Sequence, residues 1–155
     1  MPTPIQRLQH AVSAVPGILA GYSEAESEQL PGPGRWTKKE VLGHLIDSAI
    51  NNLGRFVRAQ LAGHYDAPGY DQQAWVRVQR YQQSKWSNLI DLWRAINVHL
   101  LHVITVMPEE ARRATCRVAG DAMNSDELTL DALFENYVTH MEHHLTKMLG
   151  RWPVA

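Results

Sequence analysis

The chain has 155 residues, 45% of them hydrophobic and 20% charged, the make-up of one globular domain, 1–155, large enough for a single core. A formal net charge of −1 withholds the basic excess of a nucleic-acid surface, and a lone cysteine, Cys116, excludes an intrachain disulfide framework and fits a reducing cytoplasm. Met1-Pro2-Thr3-Pro4 lacks the basic and apolar regions of a signal peptide, and no uninterrupted apolar run approaches the length of a membrane span.

The first helix is expected over residues 4–20, burying Ile5, Leu8, Val12, Val15, Ile18 and Leu19, with Pro16-Gly17 kinking or breaking it near Val15. Ser23, Glu24 and Glu26 suggest one short acidic turn, and Leu30-Pro31-Gly32-Pro33-Gly34 is a connector. Thr37-Lys38-Lys39-Glu40 is a capping box, in which hydroxyl and carboxylate each satisfy a free backbone N–H. It opens a second helix that runs to about Ala62, where Gly63 stops it, with Trp36 placed to staple onto Val41. Val41, Leu42, Leu45, Ile46, Ala49, Leu53, Phe56 and Val57 form its apolar arc. Along one edge runs a polar row, His44, Ser48, Asn51 and Arg55. For any one of the four a solvated edge is the simpler reading, but His44, heading the row near a well-capped start, is a natural metal ligand.

Residues 63–74 read as a loop around Pro68-Gly69, and a third helix as running from about Asp71 to Met107, closed by Pro108 and open to interruption near Ser84. Its stripe is Trp86, Leu89, Trp93, Ile96, Leu100, Val103 and Ile104. His99 and His102 are spaced i, i+3 but lie off that stripe, as surface histidines do. Residues 109–128 are the least regular: 114–118 reads as a short extended segment and Gly120-Asp121 as a turn. Cys116 has no CxxC partner and no recognisable base, so it makes a poor nucleophile.

The last helix, in the stretch Thr129 to Arg151, begins at a threonine cap with Asp131 in its first turn and ends at Gly150 and Pro153. Its apolar residues, 130, 133, 134, 137, 138, 141, 145 and 148, cover an arc roughly 140° wide. His144 lies inside that arc, His140 at its edge one turn earlier, and His143 outside it. An i, i+4 pair stacks two imidazoles on one face within reach of one ion, yet such a pair is more often structural than metal-binding, and a third ligand is needed from elsewhere. Four long helices with short-to-moderate connections make an all-α bundle, a fold that houses metals between facing helices.

Pro33-Gly34-Arg35-Trp36-Thr37-Lys38-Lys39-Glu40-Val41-Leu42-Gly43-His44-Leu45-Ile46-Asp47-Ser48 resembles the entry to helix two in the DinB/YfiT-like superfamily, and Tyr137-Val138-Thr139-His140-Met141-Glu142-His143-His144-Leu145 resembles its closing motif. Tyr70-Asp71 and Trp75-Val76 are similar to its intervening pattern, so the resemblance covers roughly residues 30–151. It implies a four-helix bundle holding a divalent metal between helices two and four by His44, His140 and His144. These are the three residues helix geometry singles out. One departure is Lys147, where many members carry glutamine.

Three neutral imidazoles around zinc or nickel leave a position open, as in catalytic sites. Water there gives a hydrolase; a low-molecular-weight thiol gives a transferase or isomerase, and the resemblance implies both kinds of chemistry. Ser48, Asn51 and Arg55 lie along the helix from His44, where they could orient an anionic small-molecule substrate, with surface exposure an equal alternative. Glu142 and Asp47 fall off the ligand line. The competing class is a non-catalytic bundle, stabilised by its metal. The resemblance also implies a homodimer, without locating an interface.

Overall fold

A computed structural model describes residues 1–120 and 126–152. Helix α1, Pro4–Ala20, starts at a capping box formed by Thr3 and Gln6 and buries Leu8, Val12, Val15 and Leu19. It continues through Pro16 rather than breaking there. Proline forfeits one backbone bond. The last turn is nevertheless held, because Val15 and Leu19 are fully buried and Leu19 O accepts a 2.8 Å bond from Trp86 Nε1.

The short acidic turn is α2, Glu24–Glu28, capped by Ser23. Helix α3, Lys38–Ala62, opens with the expected capping box at Thr37 and Glu40 and closes at Gly63 in the left-handed conformation (φ 78°) that glycine adopts without strain. The two are joined by Lys39, only 1% exposed, whose Nζ sits 2.6 Å from Glu24 and 2.8 Å from Glu28. Glu24 also accepts the Trp86 N–H at 3.1 Å, so one carboxylate fixes α2 to α3 and caps the next long helix. Within α3, Leu42, Leu45, Ile46, Ala49 and Phe56 enter the core, but Val57, expected in that arc, is 42% exposed.

The long third helix divides. Helix α4, Gln72–Gln79, ends at Arg80 with φ 50°; a 3₁₀ turn, Tyr81–Gln83, follows, and α5, Trp86–Val106, begins after Ser84 and Lys85. The interruption near Ser84 is therefore a full break, fixed by Tyr81. Its ring lies where a side chain at Gly43 would stand, and its hydroxyl reaches Asp47 Oδ1 at 2.6 Å. Helix α5 is long and apolar enough by length and composition to cross a membrane. However, Trp93, Leu100 and Ile104 are buried within the bundle, and its other side exposes Asp91, Arg94, His99 and His102. A bundle helix with one solvent face looks like this.

Helix α6, Leu130–Leu149, is capped by Thr129 and ends at Gly150, φ 76°. The four long helices form a ring in which α3 neighbours α5 and α6, and α1 closes the other side against the same two. This is the expected all-α four-helix bundle. To it the structure adds a small sheet: β1, His64–Ala67, pairs parallel with β2, Thr115–Val118, which pairs antiparallel with β3, Leu128–Thr129. Residues 63–74 are thus not wholly a loop, and the extended segment near Cys116 is the middle strand. Asp121 and Pro153, expected in a turn and past a helix end, lie outside the described residues.

Candidate metal centre

The packing of α3 against α6 brings three imidazoles together across a gap of 96 residues. His44 sits in the second turn of α3, and His140 and His144 stand one turn apart on the facing side of α6. Each offers a ring nitrogen, and the three nitrogens lie within 4.8 Å of one another. His44 Nε2 and His140 Nε2 are 3.3 Å apart. Two nitrogens at corners of a tetrahedron around a zinc-like ion, with bonds of about 2.0–2.1 Å, are separated by about 3.3 Å. The rings meet edge-on, with His144 centred 4.7 Å from both others.

Burial sets the charge state. His44 is 1% exposed, and burial first, then the nearby His144 and His140, push its pKa down to about 3. His144 is pushed down to about 4 by burial first, then by His140, His143 and Lys147. Both imidazoles are therefore neutral at pH 7, the form that donates a lone pair to a metal. His44 Nδ1 is buried without a hydrogen-bond partner, so its ring finds polar company only in the other histidines. An imidazole buried with so little hydrogen bonding costs free energy, and Nε2, not Nδ1, is the nitrogen turned to His140. Donor type and spacing fit a divalent cation.

Trp36, just before the α3 capping box, lies against His44 with ring centroids 4.9 Å apart and shields that ligand from water. His144 faces outward instead. It lines a cleft of about 460 Å³ bordered by Trp36, Val41 and Met148 together with Arg35, Lys38 and Lys147. Within the cluster His44 is thus buried, and His144 reaches the cleft whose wall includes Trp36.

The family model of the DinB superfamily matches residues 3–148. The chain belongs to the DinB superfamily. Its structure is similar to that of YfiT from Bacillus subtilis, with a TM-score of 0.75, 20% identity, and coverage of 95% of this chain and 82% of that one. YfiT is described as a probable metal-dependent hydrolase with an unusual four-helix bundle topology. The likeness establishes the shared bundle. No functionally curated protein matches the chain.

The other polar residues of this DinB domain separate into distinct places. Ser48 is buried beside Asn52, whose Nδ2 donates to Ser48 O at 2.8 Å. Asn51 turns its amide back to Asp47 O at 2.9 Å and borders a second cavity of about 280 Å³. Arg55, 7% exposed, borders that cavity and a third of about 680 Å³ near β2. None of the three lines the cleft at His144. Asp47 is fully buried and binds Tyr81 and Gln79; burial raises its pKa, against the pull of those hydrogen bonds. Glu142 faces α1 and takes Arg7. His99, His102 and His143 are exposed, and burial pushes the Cys116 thiol up, away from nucleophilic character.

Sequence reasoning missed the outer wall. Trp36 was legible as a helix staple but not as a cover for His44. Arg35, Lys38 and Lys147 come from two segments more than a hundred residues apart, and only the α3–α6 packing shows that they share one cleft.

Proposed function

We propose that this protein is a metal-dependent hydrolase acting on a small molecule, with His44, His140 and His144 as ligands to a divalent ion, zinc or nickel by the nitrogen donor set. The observation that carries this reading is that the three-histidine cluster, with His44 buried against Trp36, reaches through His144 a cleft that Trp36 also borders. A purely stabilising ion needs no such opening, and structural zinc sites are closed by four protein ligands. Bound there, the ion would supply Lewis acidity and lower the pKa of a water or thiol at its open position. The chain's residues do the rest: the neutral imidazoles fix the ion, Trp36 keeps water off His44, and the cleft admits the substrate beside His144.

A second reading, transfer or isomerisation with a low-molecular-weight thiol, is favoured by one feature. No carboxylate lines the cleft among the described residues, so no side chain there is suited to accept a proton from water, whereas a thiol needs no such base once ionised. Elemental analysis of untagged protein, beside His44→Ala and His140→Ala, tests the common core: one divalent ion per chain in wild type and none in either variant. Cobalt substitution then separates the branches. A thiolate absorption on adding a small thiol selects transfer, and hydrolysis of activated esters or amides without thiol selects the hydrolase. A wild-type chain that binds no metal when supplied with it overturns both.

A further inference from the structure

We infer that the cleft beside His144 selects a small anionic molecule with an apolar portion; this substrate class rests on the metal reading above and narrows it. Three cations border the cleft, Arg35 and Lys38 just before and at the start of α3, and Lys147 near the end of α6. No Asp or Glu borders it, and none of the three cations forms an ion pair among the described residues. This concentration is local, since the whole chain carries a formal charge of −1. Lys38 is held in place with its ammonium 4.8 Å over the Tyr22 ring. Lys147 borders the same cleft one helical turn after His144, beside the histidine that lines it.

Like charges gathered without counter-charges repel one another, and an anion relieves that repulsion. Arg35 and Lys147 are exposed and Lys38 half-buried, so their pull on an anion comes from bordering one concavity together. The remaining wall is apolar: Trp36, Val41 and Met148 offer an aromatic face and two aliphatic surfaces. A carboxylate or phosphate group near Lys147 and Arg35, carried on an apolar body against Trp36, satisfies both parts of the lining. The whole chain carries −1, so the residues outside these three cations sum to −4 (−1 − 3), which makes the cleft the place where such an anion is drawn.

The test uses phenylacetate and its neutral isostere phenylacetamide, titrated by calorimetry into the full-length protein, with metal content measured on the same samples. Phenylacetate is expected to bind and phenylacetamide to bind at least about tenfold more weakly, with the difference shrinking as salt rises. Arg35→Gln, Lys38→Gln and Lys147→Gln should each weaken phenylacetate by about threefold and together by about thirtyfold, leaving metal content and circular dichroism unchanged. Acid and amide binding alike, or a triple variant that binds phenylacetate as wild type does, overturns the anionic class while one metal per chain keeps the metal reading intact. Loss of the metal reading looks different: no ion is found in wild type, yet phenylacetate still binds the metal-free protein and still weakens in the triple variant, which supports the basic cleft on its own.

Discussion

Gly43 and Tyr81 share one volume: the Tyr81 ring fills the space that any side chain at 43 would need, in the helical turn that carries His44. The same tyrosine donates to Asp47 at 2.6 Å, so the α4–α5 linker is pinned to α3 on both sides of the ligand. Gly43→Ala gains about 1 kcal/mol of helix propensity but must push a buried ring aside, at a cost of about 2–4 kcal/mol. The variant is expected to be less stable by about 1–3 kcal/mol and to bind metal more weakly. Urea unfolding measures the first and competitive chelation the second. A variant as stable as wild type would mean that Tyr81 does not occupy this position.

Metal-free protein should lose stability in mild acid. The folded pKa values of His44 and His144 are lowered, to about 3 and about 4, against an ordinary value of 6.5. The unfolded chain therefore binds more protons between these limits, and stability is complete above about pH 6.5 and falls as pH drops below it. At pH 5 the loss is about 2 kcal/mol for each histidine, because both remain neutral in the fold and charged outside it. Urea titrations at pH 7.5 and pH 5 on chelator-treated protein give the difference, and His44→Gln should reduce it by about half. A pH-independent midpoint would show that these imidazoles are not held neutral.

An ion held by His44, His140 and His144 would link metal to folding through the two helices that carry them. Zinc or nickel at about one hundred times its dissociation constant should stabilise the protein by about 2.7 kcal/mol, raising its melting temperature. His144→Ala should abolish most of that rise while leaving the metal-free melt close to wild type or above it, since it removes a half-buried polar ring. Differential scanning fluorimetry with and without metal reads both. An equal rise in the variant would place the ion elsewhere.

Tyr137 donates its hydroxyl to Asn97 Oδ1 in the core, where Asn97 is fully buried and its amide nitrogen is already committed to Trp93 O at 2.8 Å. Tyr137→Phe leaves that carbonyl without a partner and should cost about 1–3 kcal/mol. Replacing both residues, Tyr137→Phe with Asn97→Leu, should recover part of the loss, and chemical denaturation of the two variants checks the order.

What could be read from the sequence follows the range of the forces involved. The capping box at Thr37, the left-handed stops at Gly63 and Gly150, and the stacking of His140 on His144 are encoded within a turn or two. They stand in the structure as the local pattern requires. The third ligand came from the polar row on α3 and from a family resemblance, and packing brings it to 3.3 Å from His140. The sheet was not legible, because β1 finds its partner 51 residues later and neither strand is long enough to show alternation. Pro16 is a similar case. A local rule says break, and the burial of Val15 and Leu19 overrides it. Nothing local to the capping box marks Lys39 as buried, and its pairing with Glu24 and Glu28 explains why it is.

The 96-residue separation between His44 and His140 also has a consequence in time. During synthesis at about 5–20 residues per second, the first ligand is made roughly 5–20 s before the second. Throughout that interval the growing chain carries only one of the three imidazoles of the cluster, and a single imidazole holds a transition metal weakly. On the metal reading, capture of the ion by the three histidines waits for the last helix to dock, so loading would mark the completed bundle.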